Sequence, residues 1–141
     1  MKSKEPKMIL VVEDTKNLRE IVALTLRARG WGVIESDNGD DALEKAMTLE
    51  PDLIVLDVML PGKTGFEICS ILRNDDRYKN LPILILSGIT QGLGKTDEHW
   101  RQMLNADALV SKPFRAYQLV QTVEGLLRGA SKPESNLTVQ D

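Results

Sequence analysis

The sequence has few of the residues that mark nucleic-acid-binding proteins. Its 141 residues include only two tryptophans, two tyrosines and two phenylalanines, which is too few for a platform on which bases stack. Neither sign of charge dominates, because 18 basic and 21 acidic residues give a formal net charge of −3. No basic field therefore attracts nucleic acid or anionic lipid, and we expect no direct nucleic-acid binding.

Cysteine and long apolar runs are equally scarce. Cys69 is the only cysteine, which excludes an internal disulfide and a metal site built from several thiolates. The basic N-terminus precedes an apolar run at 8–12, but this run is shorter than the roughly 7–15 apolar residues of a secretory signal. It is also far shorter than the roughly 20 residues of a membrane span. The sequence therefore predicts a cytoplasmic protein without membrane insertion.

The sequence does contain a regular alternation of short apolar runs and amphipathic segments. Five runs are typical of strands buried on both faces, because their aliphatic residues do not alternate with polar ones. With right-handed crossovers, this order predicts an α/β fold with a five-stranded parallel sheet. The expected architecture is a three-layer (βα)5 sandwich with helices on both faces. The runs are Met8–Val12, Gly32–Ile34, Leu53–Leu56, Ile83–Leu86 and Ala108–Val110.

The length suits one domain, which we place at residues 7–129. Residues 1–6 and 130–141 show no periodicity and are predicted to be mobile tails, the second of which also resembles a linker. Cys69 and Met103 are expected to pack between helices. The apolar positions of the predicted helices are Leu18, Ile21, Val22 and Leu26; Ala42, Leu43, Ala46 and Leu49; Phe66, Ile68, Ile71 and Leu72; Trp100, Met103 and Leu104; and Leu119, Val120, Val123 and Leu127.

Polar residues follow four of the five predicted strands. Glu13 and Asp14 come after the first, Asp57 after the third, Ser87 after the fourth, and Lys112 shortly after the fifth. Taken singly, each is readily explained as a helix cap or a solvated turn. Ligands of parallel sheets, however, bind outside the carboxyl ends of the strands. Their joint placement therefore predicts one functional site at this edge.

The residue types in this cluster suit a metal ion and a phosphoryl group. Three carboxylates within a few ångströms repel each other unless a cation lies among them, and an all-oxygen site suits Mg²⁺. A lysine and a serine hydroxyl opposite them could bind phosphoryl oxygens. A carboxylate can itself act as the nucleophile and form an acyl phosphate. Asp57, which follows a central strand, is the best candidate for that role.

Four segments of the sequence contain these polar residues. They are Val11–Asp14, Leu53–Gly62 with the following Gly65, Leu84–Gly88 and Ala106–Phe114. In this order they resemble the receiver domain of bacterial two-component response regulators, including the stand-alone chemotaxis type. In that family the first segment carries the acidic pair, the second the phosphoacceptor, the third the hydroxyl residue and the fourth the Lys-Pro pair. The resemblance covers about residues 7–128, and it implies a flavodoxin-like fold.

The resemblance implies roles for the acidic residues. Asp57 would accept a phosphoryl group from a phosphohistidine of a sensor histidine kinase or a histidine phosphotransfer protein. Asp14, Asp57 and the backbone carbonyl of Met59 would hold Mg²⁺, and Glu13 would act mainly through a water molecule.

The resemblance also implies how the acyl phosphate is bound and kept. Ser87 would bond a phosphoryl oxygen, and Lys112 would form an ion pair with the phosphoryl group. The peptide bond from Lys112 to Pro113 would be cis. Met59 and Ile89 occupy the positions that control water access, and hence the lifetime of the phosphate.

The sequence departs from the family pattern near the end of the domain. Leu109 stands where the family usually has a tyrosine or phenylalanine that moves on phosphorylation. The segment 88–105 is longer than in common members, and Asn105 replaces a common glycine. Ser87 and Leu109 are the expected switch residues. Because Leu109 is not aromatic, we expect the phosphorylation signal to leave the domain in a way that is unusual for the family.

Taken together, these observations predict a response regulator that is a phosphoacceptor switch and not an enzyme. It would bind a downstream protein target and exist as a monomer or weak dimer. One alternative is the receiver fragment of a longer regulator with an output domain. A more remote alternative is a Mg²⁺-dependent aspartyl-phosphate hydrolase, but that class has a second aspartate where this chain has Met59.

Overall fold

The structure is a computed structural model that describes residues 6–88 and 96–129. Its strands form one parallel sheet in the order β2-β1-β3-β4-β5. The predicted α/β fold is therefore confirmed. The predicted tail residues 1–5 and 130–141 lie outside the described part of the chain. The strands are β1 (Met8–Val12), β2 (Gly32–Ser36), β3 (Leu53–Asp57), β4 (Ile83–Ser87) and β5 (Ala108–Ser111).

In residues 6–88 and 96–129, five helices cover the two faces of the sheet. The side chains of α1 and α5 join one buried cluster, and those of α2, α3 and α4 join the other. This gives the predicted three layers. Among the described residues, no helix has the length and apolar content needed to cross a membrane. The helices are α1 (Lys16–Ala28), α2 (Gly39–Leu49), α3 (Gly65–Arg73), α4 (Asp97–Leu104) and α5 (Ala116–Leu127).

The apolar strands are buried because both faces of the sheet are covered. Successive β1 residues point to opposite faces, so that Leu10 and Val12 join one cluster while Ile9 and Val11 join the other. All four are almost fully buried. A strand covered on both sides needs apolar residues at every position, which explains why these runs do not alternate.

Three strands extend one residue beyond their apolar runs. Asp57, Ser87 and Ser111 are the last residues of β3, β4 and β5, whereas the sequence placed them just after the strands. Asp57 pairs with Leu86, and Ser87 pairs with Ser111. The backbone positions of these polar residues are therefore fixed by the hydrogen-bonded ladder itself.

The loop between β3 and α3 is held by close backbone contacts. The Gly65 amide donates to the Val58 carbonyl at 3.0 Å, and a Cβ on Gly65 would lie 2.5 Å from the Cα of Val58. Thr64 and Glu67 then form a capping box at the start of α3. Only glycine permits this approach, which explains Gly65 in the phosphoacceptor segment.

Helical periodicity placed some side chains on the wrong side. Ile21, Leu49 and Met103 were expected to face the core but are exposed, Met103 by 57%. The neighbouring Val22 and Leu104 are buried instead. Adjacent helical residues point about 100° apart, so at the border of the buried face one residue can be buried while its neighbour is exposed. The expected packing of Met103 is therefore wrong, whereas that of Cys69, which is buried, is confirmed.

Candidate functional site

Three carboxylates meet at the carboxyl edge of the sheet, as the sequence predicted. Each of Glu13, Asp14 and Asp57 contributes one carboxylate oxygen, and these three oxygens lie within 4.8 Å of one another. Glu13 is 1% exposed and Asp57 is 5% exposed, while Asp14 is exposed. Two buried carboxylates this close together need a compensating positive charge.

Lys112 supplies a positive charge to this cluster. Its Nζ lies 3.0 Å from Glu13 Oε1 and 3.1 Å from Asp57 Oδ2. Burial disfavours the ammonium, but the hydrogen bond to Glu13 and the charges of Asp57 and Glu13 outweigh it and raise the pKa of Lys112 above its usual value. The side chain that the sequence assigned to phosphoryl binding therefore contacts the acidic residues directly.

The Asp57 carboxylate is held at both oxygens. Oδ2 faces Lys112, and Oδ1 accepts a hydrogen bond from the backbone amide of Met59 at 3.2 Å. The Met59 side chain is exposed. A buried carboxylate at the end of the central strand, with both oxygens oriented, is well placed to act as a nucleophile.

Glu13 is fixed by hydrogen bonds from three sides. Its backbone amide donates to the Ser36 carbonyl at 3.0 Å, and its Oε2 accepts from the Thr15 amide at 3.1 Å. Its carbonyl accepts from Arg19 Nη1 at 3.0 Å. Nothing in the sequence pattern pointed to Arg19, because a residue pattern does not show which carbonyl a side chain will reach.

The β4 and β5 ends complete the edge. Ser87 is buried, and its carbonyl accepts a hydrogen bond from the Lys112 amide at 3.0 Å. The Lys112–Pro113 peptide bond is cis, as predicted. Ser87 follows Leu86, the partner of Asp57 in the ladder, so the hydroxyl residue and the proposed phosphoacceptor share one edge.

Two of the predicted residues have a different status. Leu109 is partly buried on β5, pairs with Ile85, and packs against the cluster formed with α2, α3 and α4. Ile89 lies outside the described residues. The structure therefore places Leu109 below the functional edge, and its part in switching stays a prediction.

The comparison with known families decides what this edge belongs to. The family model described as the response regulator receiver domain matches residues 9–124. The chain belongs to this family. A receiver domain works in two-component signalling as a switch rather than as a conventional enzyme. Met59 occupies the position at which aspartyl-phosphate hydrolases have their second aspartate.

Individual relatives of the receiver domain support this assignment. The DNA-binding response regulator MtrA of Mycolicibacterium smegmatis is 35% identical over 94% of this chain and 56% of its own length. The phosphate regulon transcriptional regulatory protein PhoB of Pseudomonas aeruginosa is 31% identical over 95% of this chain and 57% of its own. The chain thus spans a little over half the length of these relatives.

A solved structure shows the same fold. The chemotaxis response regulator CheY4 of Vibrio cholerae is similar with a TM-score of 0.74 and 31% identity. The similarity covers 84% of this chain and 97% of the CheY4 chain. The predicted flavodoxin-like architecture is therefore confirmed by a relative as well as by the topology.

Proposed function

We propose that Asp57 accepts a phosphoryl group from a phosphohistidine on a sensor histidine kinase or a histidine phosphotransfer protein. A carboxylate oxygen of Asp57 attacks the phosphorus and forms a P–O bond, while the P–N bond to the histidine breaks. The electron pair of that bond stays on the imidazole nitrogen. The observation that carries this proposal is the buried Asp57 carboxylate at the end of β3, 3.1 Å from Lys112 Nζ and beside Glu13 and Asp14.

The donor set at this edge fits Mg²⁺. Three carboxylates against the one ammonium of Lys112 leave an excess of negative charge, and hard oxygen donors suit this ion. Asp14, Asp57 and the Met59 carbonyl would hold it, with Glu13 acting through water. When bound, Mg²⁺ supplies positive charge to the phosphoryl oxygens.

The remaining residues bind and protect the product. Lys112 exchanges part of its contact with Asp57 for an ion pair with the phosphoryl group, and Ser87 donates its hydroxyl to a phosphoryl oxygen. Met59 and Ile89 set the access of water to the acyl phosphate. The exposed Met59 side chain, adjacent to the Asp57 edge, supports its part in this role.

Signal output follows from changes around Ser87 and Leu109 that alter the binding of a downstream protein. We place the domain in the cytoplasm, as a monomer or weak dimer without nucleic-acid binding of its own. PhoB and MtrA are named as a transcriptional and a DNA-binding regulator. A receiver that belongs to a longer regulator with an output domain is therefore the second candidate, and both candidates share the same phosphoacceptor.

Phosphorylation by acetyl phosphate and Mg²⁺ tests the proposal. Intact mass spectrometry should show one added phosphoryl group in the wild type and none in Asp57→Asn. Asp76→Asn is a matched control, because Asp76 is a solvent-exposed carboxylate on the α3–β4 loop, and it should be labelled like the wild type. Labelling that survives Asp57→Asn would assign the phosphoacceptor elsewhere.

A further inference from the structure

Arg19 links three elements around the acidic cluster. Its Nη1 donates to the Glu13 carbonyl at 3.0 Å, and its Nε donates to Glu35 Oε1 at 3.2 Å. The side chain is only 16% exposed although it belongs to a surface helix. It therefore ties α1 both to the end of β1 and to β2.

The carbonyl that Arg19 contacts has a special position. It belongs to the peptide that joins Glu13 to Asp14, and a peptide group is planar. This plane contains the Cα atoms of both Glu13 and Asp14. Fixing the direction of the carbonyl therefore helps to fix the positions from which both acidic side chains extend. The Asp14 side chain is exposed, so its position depends largely on that of its backbone.

The sheet alone does not fix this peptide. The paired residues of β1 end at Val12, opposite Ser36 and Leu56. The Glu13 amide still bonds Ser36, but this contact holds the peptide before Glu13. The guanidinium of Arg19 holds the following peptide, and its planar fork suits two fixed acceptors at once.

We infer that Arg19 is a positioning residue for the metal site, because it orients the peptide between Glu13 and Asp14. This inference rests on the proposed function, since it assumes that Mg²⁺ binds there. A role through charge alone predicts the opposite effect, because a nearby cation repels Mg²⁺. Loss of Arg19 should weaken Mg²⁺ binding if it positions the ligands and tighten it if it only contributes charge.

Isothermal titration with Mg²⁺ measures this difference. We expect the dissociation constant of Arg19→Leu to rise roughly tenfold, which is the usual effect of losing a group that orients metal ligands. Arg27→Leu is the matched control. Arg27 lies on the same helix and contacts the same Glu35 at 3.4 Å, so its removal deletes the same charge without touching Glu13. Its Mg²⁺ affinity should be unchanged or slightly higher.

Circular dichroism and thermal melting in EDTA show whether Arg19→Leu is folded without metal. Two milder variants provide a test that does not depend on Arg19→Leu. Arg19→Lys keeps the charge but loses the fork, and Glu35→Gln removes the charge that orients Arg19. Both should weaken Mg²⁺ binding less than Arg19→Leu does. Unchanged or tighter binding in Arg19→Leu, or equal weakening in Arg27→Leu, would overturn the inference.

Failure of the proposed function would look different. If Asp14→Ala bound Mg²⁺ as well as the wild type, no metal site would exist at this edge, and both proposals would fall. If the wild type bound Mg²⁺ in an Asp14-dependent manner but Arg19→Leu bound it equally well, only the role of Arg19 would be wrong.

Discussion

Two mostly buried ionic clusters lie at opposite edges of the sheet, and they differ in charge balance. At the amino edge, Arg73 pairs with Asp107 at 2.9 Å and donates to the carbonyls of Asn105 at 2.8 Å, Lys79 at 3.1 Å and Leu81 at 2.8 Å. This pair joins one cation to one anion, and the nearby Arg101 is in turn paired with Glu98. At the carboxyl edge, the Lys112 ammonium meets three carboxylates, one of them exposed.

The difference shows how one kind of interaction serves two purposes. Asp107 also accepts a hydrogen bond from the Ile83 amide at 2.9 Å, so the pair with Arg73 holds α3 against the starts of β4 and β5. A balanced and hydrogen-bonded pair leaves nothing for a ligand to satisfy. The unbalanced cluster keeps an unmet need for positive charge, which a metal ion can supply. That ion and Lys112 together can then attract the anionic phosphoryl group.

Removing Arg73 should produce the largest loss of stability. Arg73→Leu leaves Asp107 mostly buried without its cation and deprives three carbonyls of a donor. We expect the free energy of unfolding to fall by about 3 kcal/mol, as for other broken buried pairs. Urea denaturation measures it, and added Mg²⁺ should not restore it.

Arg77→Leu is the matched control for this change. Arg77 pairs with Asp75 at 2.9 Å on the surface, where such pairs contribute little. Its guanidinium also lies over the Tyr78 ring, so we expect a small loss, well below that of Arg73→Leu. Equal losses in the two variants would mean that burial and hydrogen bonding do not distinguish the Arg73 cluster.

Removing Lys112 should cost less and should respond to metal. Lys112→Met leaves Glu13, Asp14 and Asp57 facing each other, but the lysine side chain is 25% exposed, so solvent screens part of the effect. We expect a loss of about 2 kcal/mol without Mg²⁺ and a partial recovery in millimolar Mg²⁺, which replaces the missing charge. A loss that Mg²⁺ does not reduce would argue against a metal at this edge.

The two clusters also differ in how far the sequence could predict them. The carboxyl edge was predictable because the carboxyl ends of parallel strands lie on one edge, so Glu13, Asp57 and Ser87 share that edge in any such sheet. They come close together because β1, β3 and β4 are neighbours. The partners Arg73 and Asp107 are 34 residues apart and lie in no repeating pattern. Their contact depends on loop geometry that residue types do not encode.

Side-chain direction was the other feature that the sequence left open. Periodicity identified the five helices, but it did not say whether Met103 or Leu104 would face the sheet, since the two lie side by side on α4. It also gave no sign that Arg19 would turn back to a backbone carbonyl. Both outcomes depend on the rotation and placement of a helix against the sheet, which tertiary packing determines.

The smallest expected effect is a difference between the two clusters in how their contribution to the free energy of unfolding depends on pH. Because the folded state raises the pKa of Lys112, its contribution to stability is complete below the usual value of 10.5 and is lost as the pH rises through the folded value. The guanidinium group of an arginine keeps its charge over this whole range. The difference in unfolding free energy between wild type and Lys112→Met should therefore shrink above pH 10.5, while that between wild type and Arg73→Leu should not. Urea titrations of the three proteins at several pH values measure both differences. Each protein should carry Cys69→Ala, because burial raises the pKa of the Cys69 thiol while the charge of Arg73 lowers it, and its titration would otherwise differ in Arg73→Leu. A Lys112→Met difference that stays constant to the highest pH at which the proteins remain folded would show that the ammonium does not compensate the carboxylates as the structure indicates.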